Sequence, residues 1–93
     1  MTAAPRPATQ LAVRIRYFAG ARAAAGVAEE VVHLDPPATV AEAITAALDQ
    51  HDGKLSKVLE ACSFLLDGLA VRDRGTAIEA DATLDVLPPF AGG

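Results

Sequence analysis

Apolar and polar residues alternate strictly from Leu11 to Phe18. Leu11, Val13, Ile15 and Tyr17 fall on one side and Ala12, Arg14, Arg16 and Phe18 on the other, the two-residue period of a half-buried strand. Residues 19–26 are almost all alanine and glycine, and with Gly20 and Gly26 bracketing the stretch the pattern supports at most a turn and a half of helix. A second strand runs from Glu29 to Leu34, with Val32 and Leu34 facing in, and Asp35-Pro36-Pro37 ends it because proline cannot continue a ladder. Thr39 then stands three residues before Glu42, the spacing of a capping box in which hydroxyl and carboxylate each satisfy a free amide. Val40, Ala43, Ile44, Ala47 and Leu48 follow at helical spacing, and 49–53 stop the run. Lys54 to Ala61 add a short turn with Leu55, Val58 and Leu59 inward, before a strand over Cys62 to Leu66. Asp67-Gly68 is the strongest hairpin signal in the chain, since both residues tolerate positive φ, and it returns the chain through Leu69, Ala70 and Val71. A last strand near Leu84-Asp85-Val86-Leu87 ends at Pro88-Pro89.

The order strand, strand, helix, strands predicts an α+β fold of the β-grasp type: a mixed sheet with its first and last strands side by side and one main helix packed on one face. The ten residues before Leu11, with Pro5 and Pro7 among small polar neighbours, predict a disordered leader over 1–10, and 11–93 form the domain. The leader lacks the apolar run of a signal peptide or a membrane span.

At 93 residues the chain has room for one domain, and folding at this mass hides roughly 63% of the extended surface. Although 52% of residues are apolar, 21 of these are alanine, so the expected core is thin. The single cysteine, Cys62, excludes an internal disulfide and a cysteine-rich metal site, which fits a reducing cytoplasm. A net charge of −4 without a basic stripe argues against nucleic acid as a partner.

Catalytic apparatus is nearly absent. Gly53-Lys54 lacks the flanking residues of a phosphate loop, and no dinucleotide fingerprint occurs, so no cofactor is expected on this chain. His33 and His51 read as ordinary surface or strand residues without metal spacing, Cys62 as a packed thiol in register with Phe64 and Leu66, and Asp81 and Asp85 as a solvated face. What is left is the stretch Pro88-Pro89-Phe90-Ala91-Gly92-Gly93. The rigid Pro-Pro step directs it off the sheet, six extended residues reach about 20 Å, and glycine without Cβ lets the backbone enter a narrow channel. The Gly93 carboxylate, ionised at neutral pH, is a competent nucleophile toward the α-phosphate of ATP held by a partner. The resulting acyl-adenylate could be displaced by sulfide or an amine.

The segment from Tyr17 through Gly26, with the ending Leu87-Pro88-Pro89-Phe90-Ala91-Gly92-Gly93, resembles the small sulfur-carrier subunits of molybdopterin synthase, within the ubiquitin-like sulfur carriers. The resemblance implies that Gly93 is adenylated by an E1-like adenylyltransferase and becomes a thiocarboxylate. It then gives its sulfur to the pterin precursor inside the large subunit of molybdopterin synthase, in molybdenum cofactor synthesis. In that reading the chain is substrate and reagent, the large subunit supplies catalysis, and the partner enzyme uses the ATP. Two departures stand out. Phe90 occupies a position where the family usually has a small residue, and Ala82-Thr83-Leu84 follow Asp81 where the family has a Gly-Asp-Glu turn. The rivals are a sulfur carrier for thiamine, cysteine or tRNA thiolation, a protein modifier whose Gly93 meets a lysine amine, and an inert β-grasp interaction module.

Side-chain parity adds an expectation independent of the resemblance. With Leu11, Val13, Ile15 and Tyr17 facing the helix, Phe18, Leu65, Ala70 and Leu87 share the open face of the sheet. They predict a partner-binding patch beside Pro88 and Pro89 at the root of the tail, with Phe18 and Leu87 as anchors and the tail residues Phe90, Ala91 and Gly92 entering the partner.

Overall fold

A computed structural model describes residues 9–51 and 53–89. Residues 1–8 of the expected leader and the tail residues Phe90, Ala91, Gly92 and Gly93 lie outside the described residues.

The alternation at the start of the chain forms strand β1 (Leu11–Tyr17), in which Val13, Ile15 and Tyr17 are buried and Arg14 and Arg16 exposed. Helix α1 (Ala19–Ala25) follows, longer than the turn and a half that the two glycines suggested. Gly20 lies inside it. Five of its seven residues are alanine, the best helix former, and Ala21 and Ala25 are buried, so packing offsets the cost of one glycine. Gly26 closes it at φ 80, its N–H donating to the Arg22 carbonyl at 2.9 Å. Strand β2 (Glu29–Leu34) returns antiparallel to β1, with Val13 opposite Val32. After the cis Pro36–Pro37 bond, the two residues of β3 (Ala38–Thr39) pair with β6 (Ala77–Ile78), a small separate ladder that the hydropathy pattern did not reveal.

Helix α2 (Val40–Leu48) buries Val40, Ala43, Ile44 and Ala47, as its spacing required. Half of the expected capping box forms: Thr39 Oγ1 accepts from the Glu42 amide at 3.2 Å. The Glu42 carboxylate accepts from the Thr39 hydroxyl rather than from a backbone N–H. Val40 and Ala41 donate instead to the carbonyls of Thr76 and Arg74, so the β6 side of the chain satisfies the first amides of the helix. The expected short turn after it is an eight-residue helix, α3 (Gly53–Glu60), with Leu55 and Leu59 buried and Val58 half-buried against the core.

Strand β4 (Ser63–Leu66), the Asp67-Gly68 turn and β5 (Leu69–Ala70) make the anticipated two-residue hairpin, with Leu65 opposite Ala70. Asp67 and Gly68 take φ 49 and 85, the left-handed values that this turn demands. Asp67 also ties the turn to the next strand, its Oδ1 accepting from the Thr83 amide at 2.9 Å. The last strand, β7 (Ala82–Leu87), starts two residues earlier than expected, directly after Asp81. The main sheet has the order β2-β1-β7-β4-β5, with β1 and β7 parallel. First and last strands lie side by side, as a β-grasp requires. The helical layer is larger than one main helix: α1, α2 and α3 all contribute to a single core with Ile15, Leu55, Leu84, Val13, Val40 and Val86 at its fully buried centre.

Candidate functional site

The chain leaves the sheet from its middle strand. Leu87 is the last residue of β7 and sits opposite Ser63 of β4, and Pro88 and Pro89 follow outside the ladder. Because β7 lies between β1 and β4, the tail root is flanked by the end of β1 on one side and the start of β4 on the other. Phe18, just past β1, is held there by its own N–H, which donates to the Val86 carbonyl at 3.2 Å.

The parity expected for the open face holds. Leu84 and Val86 are buried toward the helices, so Asp85 and Leu87 turn to the opposite side with Leu65, Ala70 and Phe18. Phe18 is 38% exposed, Leu65 and Leu87 are half-buried, and Ala70 is exposed. A shallow depression of about 260 Å³ adjoins Phe18, lined also by Arg16, Ala19, Arg22 and Glu29.

The patch is not wholly apolar, and here one expectation fails. Asp85 is not on a solvated face: it is 8% exposed and lies between Arg16 of β1 and Leu65 of β4. Arg16 grips it in a fork, Nε to Oδ1 at 2.6 Å and Nη2 to Oδ2 at 2.9 Å. That hydrogen bond, followed by the charge of Asp85, holds the guanidinium pKa above its ordinary value. Arg16 also lies over the Phe18 ring, 5.8 Å from its centroid, so the ion pair and the aromatic anchor form one unit beside the tail root. The alternation of β1 already sent Arg16 outward; the partner became identifiable only with the parallel register that sets Arg16 against Asp85. Asp81 is likewise engaged, its Oδ1 accepting from the Ala12 amide at 2.8 Å across the start of β7.

The remaining candidates sit away from this face. His33 is exposed on β2, as expected. His51 is not an ordinary surface residue: its side chain is largely buried, with Nε2 at 2.5 Å from Glu30 Oε2, and the Tyr17 hydroxyl donates to the same oxygen at 2.5 Å. The Tyr17 and His51 rings meet edge to face, and this cluster pins the end of α2 to the sheet. Burial, then the hydrogen bond to Glu30, raises the Tyr17 phenol far above its usual range. Cys62 is buried, its Sγ donating to the Val58 carbonyl at 3.1 Å, and burial raises its pKa while Arg74 partly offsets the rise. A thiol held protonated in this way is a poor nucleophile, consistent with a packing role. No group of three or more His, Cys, Asp or Glu among the described residues could hold a metal ion, and no described helix is long and apolar enough to cross a membrane.

Residues 15–93 match the ThiS family. Among solved structures, small archaeal modifier protein 1 from Haloferax volcanii superposes with a TM-score of 0.77 at 28% identity, covering 88% of this chain and 99% of that one. A Pyrococcus furiosus protein assigned as subunit 1 of a molybdopterin converting factor gives 0.74 at 23% identity, over 84% of this chain and 97% of that one. A complex of subunits 1 and 2 of the molybdopterin-converting factor from Helicobacter pylori gives 0.59 at 22% identity, over 89% and 100%. The last two likenesses speak to the fold alone. No curated protein matches the chain by sequence. With the match running from Ile15, within β1, to the final Gly-Gly, the chain belongs to the ThiS family and carries its ubiquitin-like β-grasp fold.

Proposed function

We propose that the chain is a sulfur carrier for molybdopterin synthesis, with Gly93 as the residue that carries the reacting carboxylate. The observation that carries this reading is the family match itself, whose range, residues 15–93, takes in β7, Pro88-Pro89 and Gly92-Gly93. In the proposed sequence an E1-like adenylyltransferase holds ATP, and a Gly93 carboxylate oxygen attacks the α-phosphorus. Pyrophosphate leaves and an acyl-adenylate forms. A sulfide-level donor displaces AMP to give the thiocarboxylate, whose sulfur attacks an electrophilic carbon of the pterin precursor in the large subunit and displaces that carbon's oxygen substituent. Water finally cleaves the acyl link and restores the carboxylate. This chain contributes the tail, the Pro-Pro step that directs it outward, and the docking face of Phe18, Leu65, Ala70 and Leu87 around the Arg16–Asp85 pair. Nucleotide and precursor belong to the partners, and the cytoplasm is the proposed compartment. In the Helicobacter pylori complex a protein of this fold, subunit 1, stands with subunit 2, the arrangement proposed here for this chain and a large subunit.

A second reading is favoured by one observation, the 28% identity to a small archaeal modifier protein. There the same acyl-adenylate meets a lysine amine and leaves an isopeptide bond. Mass spectrometry of the protein isolated from its native cell distinguishes the two. Replacement of one Gly93 carboxyl oxygen by sulfur supports the carrier, and Gly93 joined to lysines of other proteins supports the modifier. Deleting Gly93 is expected to abolish pterin sulfuration in a reconstituted system while leaving the melting temperature unchanged. Sulfuration by the truncated protein would refute the mechanism.

A further inference from the structure

Strand β2 is an outer strand of the main sheet, and among the described residues nothing pairs with its far side. Which backbone groups it leaves open follows from one hydrogen bond. The Tyr17 amide donates to the Ala28 carbonyl at 2.8 Å, so Ala28 points its backbone groups at β1. By the two-residue period, so do Glu30, Val32 and Leu34. Glu29, Val31 and His33 therefore direct both N–H and C=O away from the sheet. Their side chains share the open face, all three exposed, with Val31 at 45%. A six-residue edge with an exposed valine at its centre has neither the lysine nor the proline that commonly blocks such edges.

We propose that this edge pairs with β2 of a second copy of the chain, antiparallel about a two-fold axis through Val31, joining two five-stranded sheets into one of ten. The register is selected by complementarity. With Val31 opposite Val31 of the partner copy, Glu29 falls opposite the partner copy's His33 at both ends, and the imidazole N–H can donate to the carboxylate. The same alignment brings the three outward-facing residues of each copy together, so each N–H meets a C=O. Sliding by two residues in one direction would set Glu29 against Asp35, like charges in apposition. In the other direction it would leave His33 beyond the partner strand. Glu29 gives up little to enter the pair, because its present contact with Arg14 is long, 3.6 Å, and half-exposed. The tail root lies two strands away on β7, so both copies keep it free, and the inference stands apart from the sulfur-carrier reading.

Sedimentation velocity of the full chain tests the proposal. A short edge interface associates weakly, so the concentration series runs to about 1 mM. The expected result is a species of twice the 9.6 kDa chain mass. Val31→Lys should weaken the dimer roughly tenfold or more without altering the circular dichroism spectrum. As a positive readout, Val31→Cys should form an intermolecular disulfide on mild oxidation, since directly opposed Cα atoms lie about 5.5 Å apart. The more exposed control, Leu69→Cys, should not. A monomer across the series, a dimer indifferent to Val31→Lys, or equal cross-linking of both cysteine variants would each overturn it.

Discussion

Arg16 and Asp85 stand opposite one another on the parallel strands β1 and β7, and their side chains meet in a two-pronged contact of 2.6 and 2.9 Å on the face that carries the tail root. The Asp85 side chain is nearly out of solvent while the Arg16 side chain keeps 45% of its surface exposed. Removing only the arginine leaves a buried charge without compensation, whereas removing both leaves none. Arg16→Met is therefore expected to lower the melting temperature by several degrees, and the double variant Arg16→Met with Asp85→Leu to recover most of the loss. Calorimetry of the two variants checks this. A double variant less stable than the single one would show that the pair contributes more than mutual neutralisation.

Tyr17 is the only tyrosine, and the chain has no tryptophan, so near-ultraviolet absorbance reports on this one ring. Its pKa is raised in the folded protein, first by burial and then by Glu30. The native state thus binds the phenolic proton more tightly than the unfolded chain does. Stability is fully present below the ordinary tyrosine value of about 10 and declines as pH rises above it. The burial of Cys62 adds a decline of the same sign, starting near the ordinary thiol value. In an alkaline titration, tyrosinate absorbance is expected to appear together with the loss of circular dichroism and not before it. Tyr17→Phe should flatten the fall of melting temperature above pH 10. An absorbance rise near pH 10 in the folded protein would contradict this.

Phe18 and Leu55 contrast a surface anchor with a core residue. Leu55 is fully buried, and Leu55→Ala should cost about 3 kcal/mol in chemical denaturation. Phe18→Asp should change stability by less than about 1 kcal/mol yet weaken binding to a molybdopterin synthase large subunit, measured by calorimetric titration. Unfolding by Phe18→Asp would assign that ring to the core.

The Thr39 cap offers a smaller test. Its hydroxyl accepts from the Glu42 amide, and Thr39→Ala should cost about 1 kcal/mol. Glu42→Ala should cost much less, because the Glu42 carboxylate accepts from the Thr39 hydroxyl and no backbone amide is left open by the change. A loss as large for Glu42→Ala would restore the reciprocal box.

The elements legible in the sequence were those with a strong local signal. The alternation of 11–17, the Thr39 to Glu42 spacing and Asp67-Gly68 each specify conformation within a few residues, and the structure has a strand, a helix start and a tight turn at those places. Helices α1 and α3 were underestimated because glycine at 20, 26 and 53 suggests breaks locally, while burial of Ala21, Ala25, Leu55 and Leu59 decides the outcome through packing. The β3–β6 ladder is two residues on each side and has no period to detect. On the candidate docking face, the parity of Phe18, Leu65, Ala70 and Leu87 followed from counting. The burial of Asp85 did not, since it depends on which residue of β1 faces which residue of β7. His51 shows the same limit, its contact with Glu30 joining residues 21 apart that no motif links.

The position of β7 has a mechanical consequence. The strand is bonded along one side to β1 in parallel and along the other to β4 in antiparallel. Tension applied beyond Pro89 does not peel hydrogen bonds one at a time, as it would from a rim. It loads the β1 ladder in shear, and through Leu84 and Val86 it pulls on the interior itself. A partner that tugs on this segment would load the hydrogen bonds of two neighbouring strands together, so the body resists the pull better than it would if the segment left from a rim strand.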